Sequence, residues 1–211
     1  GLTRATCAQT VASNLIKFHR GDDGTTLCTD AASPASCLRD RSSAVKDPDN
    51  PAAAALQKVW KYGDVVDSTP TVVGSPKERY DTIYGDATYT TYFKQYKTRR
   101  QVAYAGANDG MLHAFNAGFF TEGDDSTTTP VEHGFFSTTA PSSVSSYTTA
   151  RSSTPKLGSE LWAFIPQELL PHLKWYADIN YTHVAYVDLK PKVTDVRVFC
   201  GDSATGGLGS P

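Results

Sequence analysis

Residues 101–116 read QVAYAGANDGMLHAFN, and this run carries the clearest structural signal in the chain. Small and apolar residues fill 102–107, as in a strand that packs against a core. The next residues, Asn108-Asp109-Gly110, tolerate the positive φ angles of a tight hairpin turn. Residues 111–115, MLHAF, leave the turn as a second apolar strand. The run therefore predicts a β-hairpin, and Asp109 is expected to satisfy backbone donors within the turn.

A later segment enlarges this hairpin into a sheet. Residues 158–166 read GSELWAFIP, and together with the hairpin they resemble one blade of a β-propeller of the quinoprotein type. Residues 117–157, rich in Thr, Ser, Gly and Pro, split the blade and form either a long ordered excursion or a mobile loop. Alternating patterns predict further strands at 181–188 and 192–199. The predicted fold class is mainly β with some α: a partial quinoprotein-like β-propeller with an N-terminal helical extension and a long inserted loop.

Helical spacing appears in two other places. Apolar residues recur at helical intervals in residues 8–19, AQTVASNLIKFH, and Gly21 is a natural terminator for that helix. Asp86 can cap a second helix, whose aromatic residues fall at i, i+3, i+4 and i+7: Tyr89, Tyr92, Phe93 and Tyr96. This stripe favours a helix that packs on the rim of the propeller, with an aromatic ligand platform as the alternative.

Two regions follow from these patterns. Residues 1–55 are predicted to be a helix and a disulfide-bearing loop that lead into the propeller, and residues 56–211 its first blades. Because the chain opens abruptly at Gly1 and closes on a Gly/Ser-rich stretch, we expect it to be a fragment of a larger protein.

The composition excludes some classes of partner. A formal net charge of -2 over 211 residues gives no reason to expect nucleic acid or an anionic membrane. The sequence contains no apolar window of about 18 residues, so no membrane span is predicted.

The four cysteines, Cys7, Cys28, Cys37 and Cys200, form an even set with one close pair. Such a set is compatible with disulfides in an oxidising compartment. A metal site would need clustering of the CxxC type, which the sequence lacks. We predict a Cys28–Cys37 disulfide and, as a second hypothesis, a Cys7–Cys200 pair. Either pair could instead be replaced by bonds to a missing part of the parent chain.

Residues with catalytic or recognition patterns are few. None of the five histidines has a His or Cys partner three or four residues away, and the sequence contains no P-loop, GxSxG or GxGxxG motif. No catalytic, cofactor-binding or metal-binding residue is therefore predicted. Arg20-Gly21-Asp22 spells the integrin-recognition tripeptide, but Gly21 already serves as a helix terminator, and that role is favoured.

Three segments in order give the chain a family resemblance. Residues 63–74 read GDVVDSTPTVVG, residues 100–115 contain GANDGMLHAF, and residues 158–166 follow. Together they resemble the C-terminal domain of the PilY/PilC family, the tip-associated adhesins of type IV pili. The resemblance covers roughly residues 56–190.

The resemblance implies a function in type IV pilus biogenesis and adhesion. Members of the family promote pilus assembly, oppose retraction and attach to host or abiotic surfaces. It implies export through the periplasm and outer membrane to the cell surface, at the pilus tip. Expected partners are minor pilins and the rest of the parent chain, which would cover the open edges of an incomplete propeller. The calcium loop of the family has no match here, so calcium is assigned to the missing part of the parent protein.

Two alternatives remain from the sequence. A quinoprotein-like periplasmic dehydrogenase would share the propeller signature, but a blade and parts of others cannot close the ring around a quinone. The chain is therefore expected not to be an enzyme. A purely structural cap of an extracellular filament is the second alternative.

Overall fold

The computed structural model describes residues 4–30, 32–46, 50, 52, 54–122, 134–138 and 155–197. These residues belong to two compact units, each built from three stretches of chain. The first unit contains residues 1–70, 105–114 and 162–190; the second contains 71–104, 115–161 and 191–211. The units reflect packing, and the predicted division at residue 55 stays a prediction.

Four α-helices occur in the described residues: α1 (Arg4–His19), α2 (Tyr80–Ile83), α3 (Ala87–Tyr96) and α4 (Leu170–Tyr176). Short 3₁₀ turns occupy Gly24–Thr26, Pro34–Ser36 and Gln167–Leu169. The predicted cap of α3 is confirmed, because the Asp86 side chain accepts a hydrogen bond from the Thr88 N–H at 2.9 Å.

The end of α1 also forms as predicted. Gly21 has a φ of 101°, and its N–H donates to the Phe18 carbonyl at 2.9 Å. The Asp22 N–H donates to the Lys17 carbonyl at 3.0 Å. These two bonds form a Schellman motif, in which the left-handed residue is usually glycine.

Seven strands form two sheets in the part of the chain that the structure describes. Their bounds are β1 (Ser42–Val45), β2 (Leu56–Val59), β3 (Thr71–Val73), β4 (Gln101–Gly106), β5 (Leu112–Glu122), β6 (Gly134–Ser137) and β7 (Glu160–Phe164). The antiparallel pair β1–β2 forms a sheet of its own, and β1 lies where the sequence predicted the disulfide-bearing loop. The larger sheet has the order β3-β4-β5-β6, with β7 also paired to β5.

The larger sheet contains the predicted blade. β4 and β5 are the hairpin around Asn108-Asp109-Gly110, β3 is the end of the GDVVDSTPTVVG segment, and β7 is the ELWAF segment. Helix and strand occur in similar amounts, and the sheets are not closed over the described residues. This architecture is that of a partial propeller with helical additions.

Two described stretches of the segment that splits the blade form paired strands. β5 runs on through Glu122 and pairs with β6, which places Phe120 opposite Phe136 with ring centroids 5.3 Å apart. The first part of the predicted insert is therefore a hairpin. Residues 123–133 and 139–154 lie outside the described residues.

The strands predicted at 181–188 and 192–199 are wrong over the part that is described, 181–197, which forms no ladder. Backbone groups of this part form hydrogen bonds with side chains of other segments instead. The Leu189 carbonyl accepts from the Ser68 hydroxyl at 3.4 Å, and the Pro191 carbonyl accepts from the Thr71 hydroxyl at 3.1 Å. An alternating pattern favours extended backbone, but a strand also needs a neighbouring edge to pair with.

The core of the first unit lies between α1 and α4. Phe18 on α1 is completely buried against Tyr176 of α4, with ring centroids 6.2 Å apart. The remaining buried members of this core are Leu27 and Ala177. Leu27 lies directly before Cys28, so the disulfide loop starts from a residue anchored in the core.

The Cys28–Cys37 disulfide is present, as predicted. The two cysteines also form an isolated antiparallel bridge that closes the loop between them. The side chain of Cys7 and the whole of Cys200 lie outside the described residues, so a Cys7–Cys200 pair stays a prediction.

Packing in the second unit uses the aromatic stripe of α3. Tyr89 is buried, and its hydroxyl donates to Asp195 at 3.0 Å. The Tyr92 hydroxyl donates to the other oxygen of Asp195 at 3.1 Å, and Arg99 approaches the same carboxylate at 3.5 Å. The stripe therefore fixes the chain around residue 195 to the helix, as the packing interpretation expects.

Replacing Phe18 with alanine should open the core of the first unit. Loss of a completely buried aromatic ring costs about 3–5 kcal/mol, so amide hydrogen exchange should accelerate in residues 15–27 and 170–177. Val11→Ala on the same helix is the matched control, because Val11 is 37% exposed. Equal exchange in the two variants, measured by mass spectrometry, would contradict the assigned core.

Candidate functional site at the hairpin turn

The turn between β4 and β5 is built around one left-handed residue. Among Asn108, Asp109 and Gly110, only Gly110 has a positive φ, at 87°. The Gly110 N–H donates to the Ala107 carbonyl at 3.1 Å, and the Ala107 N–H donates to the Met111 carbonyl at 3.1 Å. This is the three-residue hairpin loop that ends in a left-handed glycine, rather than a two-residue turn that requires two positive φ angles.

Asp109 is the centre of the turn and is 2% exposed. Its carboxylate accepts from the Gly63 N–H at 3.0 Å, from the Met111 N–H at 3.1 Å and from Nε2 of His113 at 3.0 Å. We call this set the Asp109 lock: Gly63, Asp109, Met111 and His113. The predicted role of Asp109 as acceptor of turn donors is confirmed for Met111, whereas the bonds to Gly63 and His113 were not predicted.

Gly63 is required by the close approach of two backbones. A Cβ atom on Gly63 would lie 2.5 Å from the backbone nitrogen of Asp109. His113, the next member of the lock along β5, packs its ring edge-on against Tyr62 at 4.5 Å between centroids. The segment 62–64 is thereby held against the hairpin through one carboxylate and one ring contact.

Asn108 forms a second layer next to the lock and is 3% exposed. Its N–H donates to the Asp64 carbonyl at 3.0 Å, and its side-chain amide donates to the Asp64 carboxylate at 3.0 Å. Its amide oxygen accepts from the Tyr186 N–H at 3.1 Å, and its backbone carbonyl accepts from Nε2 of His172 at 3.2 Å. One asparagine thus connects three separate segments to the turn.

The charges around Asn108 differ in burial. Asp64 forms a half-exposed pair with His183, whose Nε2 lies 2.7 Å from its carboxylate. Partial burial acts to raise the pKa of Asp64, but hydrogen bonds from Asn108 and His183 outweigh it and hold the pKa below its usual value. Burial lowers the pKa of His172, a residue that is 5% exposed. Its Nδ1 is buried without a hydrogen-bond partner, so its neutral form is favoured.

The chemistry of this arrangement is that of a structural lock. Both oxygens of Asp109 already accept hydrogen bonds from protein groups, and its partner His113 is itself 5% exposed. Across the described ranges, no group of three or more His, Cys, Asp or Glu side chains could hold a metal ion. No calcium-dependent step is therefore derived from these residues.

The tripeptide Arg20-Gly21-Asp22 lies apart from the lock, at the end of α1. Arg20 and Asp22 are exposed, and Gly21 is held in the Schellman motif. The fold accounts for Gly21 as the residue that ends α1. A role of the tripeptide in integrin recognition stays a prediction.

Comparison with known proteins supports the family resemblance of the hairpin and the residues around it. Residues 62–132 match the model of the PilY1 beta-propeller domain, and this range contains the whole Asp109 lock. The type IV pilus biogenesis factor PilY1 homolog of Xylella fastidiosa is 30% identical over 158 residues, which are 70% of this chain and 10% of that protein. No solved structure matches the chain.

Two further relatives come from Pseudomonas aeruginosa. The type IV pilus biogenesis factor PilY1 of strain PAK is 41% identical over 162 residues, covering 70% of this chain and 10% of that protein. PilY1 of strain UCBPP-PA14 is 27% identical over 166 residues, covering 72% and 11%. The chain thus spans about a tenth of the length of the curated relatives it matches.

Asp109→Ala should loosen the hairpin. It leaves the Gly63 N–H and His113 without their buried acceptor, which costs about 3–5 kcal/mol. Asp64→Asn is the matched control, because its half-exposed pair with His183 contributes about 0–1 kcal/mol. Hydrogen exchange in residues 101–116 should accelerate strongly in the first variant alone. Similar exchange in both variants would contradict a lock centred on Asp109.

Acidification should destabilise the first unit. Burial lowers the pKa of both His19 and His172, so the unfolded chain takes up protons before the folded chain as the pH falls below about 6.5. The stabilisation is complete above that pH and is lost as the pH falls through the lowered pKa values of the two folded-state histidines. Opening of residues 170–177, measured by hydrogen exchange corrected for intrinsic rates, should follow this trend. A His172→Gln variant that opens with the unchanged pH dependence would contradict the part assigned to His172.

Proposed function

The chain belongs to the PilY1 family, and on this basis we propose that it forms part of a type IV pilus biogenesis factor. The observation that carries the proposal is the match of residues 62–132 to the PilY1 beta-propeller domain. The structure supports it because the matched residues form the hairpin, the lock and the start of the insert.

The finer part of the proposal is a role at the tip of the pilus. There the protein promotes assembly, opposes retraction and attaches the cell to host or abiotic surfaces. The Cys28–Cys37 disulfide fits an exported protein, since such bonds persist in oxidising compartments. None of the described helices has the length and apolar character needed to cross a membrane.

Contacts with other sheets or subunits are part of the proposal. Trp162 and Phe164 lie two residues apart on β7, hence on one face of the strand, and are 46% and 57% exposed. Large apolar side chains exposed together on one face of a strand favour packing against further protein. We assign this face to contacts with the rest of the parent protein or with minor pilins.

Deleting the gene that encodes the chain should reduce the number of surface pili, counted by electron microscopy. Blocking retraction in the same strain should restore pili if the protein opposes retraction. Complementation with the Asp64→Asn gene should restore piliation, whereas the Asp109→Ala gene should restore it poorly because its blade is loosened. Normal piliation in the deletion strain would contradict the proposal.

Attachment is scored separately, as bound cells per pilus in the strain with blocked retraction. A loss of attachment at normal pilus number is expected of a tip adhesin. Unchanged attachment per pilus would contradict the adhesive role and leave a structural cap of the filament.

A further inference from the structure

Two arginines approach each other in the first unit, between the disulfide loop and β1. Arg41 is 8% exposed, and Arg39 is partly exposed. The Arg39 N–H donates to the carbonyl of Ala177 at 2.9 Å, which fixes this stretch of backbone to the end of α4. The two positive charges are therefore held in place by the core rather than by flexible surface chain.

Two neighbouring aromatic rings lie beside the Arg39 guanidinium. Its central carbon lies 4.2 Å from the centroid of Tyr181 and 4.5 Å from that of Tyr176, and the two centroids are 5.3 Å apart. Cation–π contacts of this kind restrict the orientation of a guanidinium and leave its N–H donors available for hydrogen bonds.

The edge of the same guanidinium is open. Among the residues that the structure describes, no hydrogen bond or ion pair reaches any of its nitrogens. Nε is shielded from solvent, whereas the terminal nitrogens are accessible. Arg39 thus presents two terminal N–H groups in a fixed orientation, without an acceptor.

Arg41 behaves differently. One terminal nitrogen donates to the Lys61 carbonyl at 3.3 Å, the other donates to the Phe18 carbonyl, and the guanidinium lies 3.7 Å from the Phe18 ring centroid. Burial lowers the pKa of Arg41, and the neighbouring charge of Arg39 lowers it further. Each of its terminal nitrogens has an acceptor, and its Nε is buried without one. Arg41 therefore adds positive charge to the neighbourhood of Arg39 while its terminal nitrogens are already bound.

The positive charges of this pair are not neutralised by a close carboxylate, although Asp109 attracts Arg41 from a longer distance. Within the described ranges, neither guanidinium has a carboxylate oxygen within 4.0 Å. Taking charges out of water is costly unless they are paired, and a planar guanidinium edge matches the two oxygens of a carboxylate or phosphate group.

We propose that the open edge of Arg39 is a binding site for an oxyanion, either a carboxylate or a phosphate group. Tyr176 and Tyr181 hold the guanidinium in orientation, and Arg41 strengthens the local positive potential. The oxyanion accepts two parallel hydrogen bonds from the terminal nitrogens of Arg39. The proposal is independent of the role in pilus biogenesis, because it rests on side chains of the first unit alone.

The test is protection of Arg39 from phenylglyoxal, followed by peptide mass spectrometry of the purified natural gene product. The reagent attacks accessible guanidinium groups, so Arg39 should react in sodium chloride. Inorganic phosphate, sodium acetate and an oligoglutamate peptide are compared with chloride at equal ionic strength. When a probe reaches twice its dissociation constant, modification of Arg39 should slow about threefold, because about two thirds of the sites are occupied.

The matched control within the same protein is Arg79, whose side chain is 62% exposed and already lies 3.5 Å from Asp81. Its modification should be nearly equal in all four solutions. Protection of Arg39 by phosphate or acetate identifies a small oxyanion. Protection by oligoglutamate alone identifies acidic side chains of a protein as the source.

A second measurement uses Arg39→Lys, which keeps the charge and removes the planar fork. Titration calorimetry with whichever probe protects Arg39 should show binding weakened by about tenfold, since the paired hydrogen bonds are lost. Failure of all three probes to protect Arg39, an Arg39 that does not react in chloride, or unchanged binding in Arg39→Lys would overturn the proposal.

Discussion

The carboxylate of Asp109 is the interaction on which the first unit depends. A charge that is 2% exposed must replace every hydrogen bond that water would have supplied. It does so with two backbone N–H groups and one imidazole, from Gly63, Met111 and His113. Two of these partners follow the turn, at the start of β5 and just before it, and the third lies 46 residues before Asp109 in the sequence. The Asp109 side chain therefore binds both the hairpin and the segment 62–64.

Other parts of the unit are arranged around this point. Asn108 extends the lock to Asp64, His172 and Tyr186, so α4 and the extended chain after it are placed relative to the turn. The core around Phe18 packs α1 against α4, with the Arg41 guanidinium 3.7 Å from the Phe18 ring centroid. A propeller blade that must accept further sheets or subunits needs a rigid turn, because a mobile one would misplace both flanking strands. The PilY1-family match includes this turn, which joins the physical constraint to the proposed function.

Local chemistry made part of this structure predictable. Four features depend on residues that lie within about ten positions of each other in the sequence: the hairpin turn, the Schellman end of α1, the Asp86 cap and the Cys28–Cys37 disulfide. The contacts of Asp109 with Gly63 and His113 were not predicted, because Gly63 lies far away in sequence and the turn alone supplies one donor. The strands predicted at 181–188 and 192–199 failed for the same reason. Alternation describes one chain, but a ladder needs a second edge, and here Ser68, Thr71 and Asn108 bind the backbone instead. The β1–β2 hairpin was missed because its residues are largely exposed and carry little apolar alternation.

The central claim is tested most directly by hydrogen exchange of a single amide, the N–H of Gly63. Gly63 belongs to no helix or strand, so slow exchange there must come from its hydrogen bond to the Asp109 carboxylate rather than from a ladder. We expect the Gly63 amide to exchange as slowly as the amides of β4. Exchange as fast as that of Gly85, which stands in open space, would contradict an Asp109 lock and the account built on it.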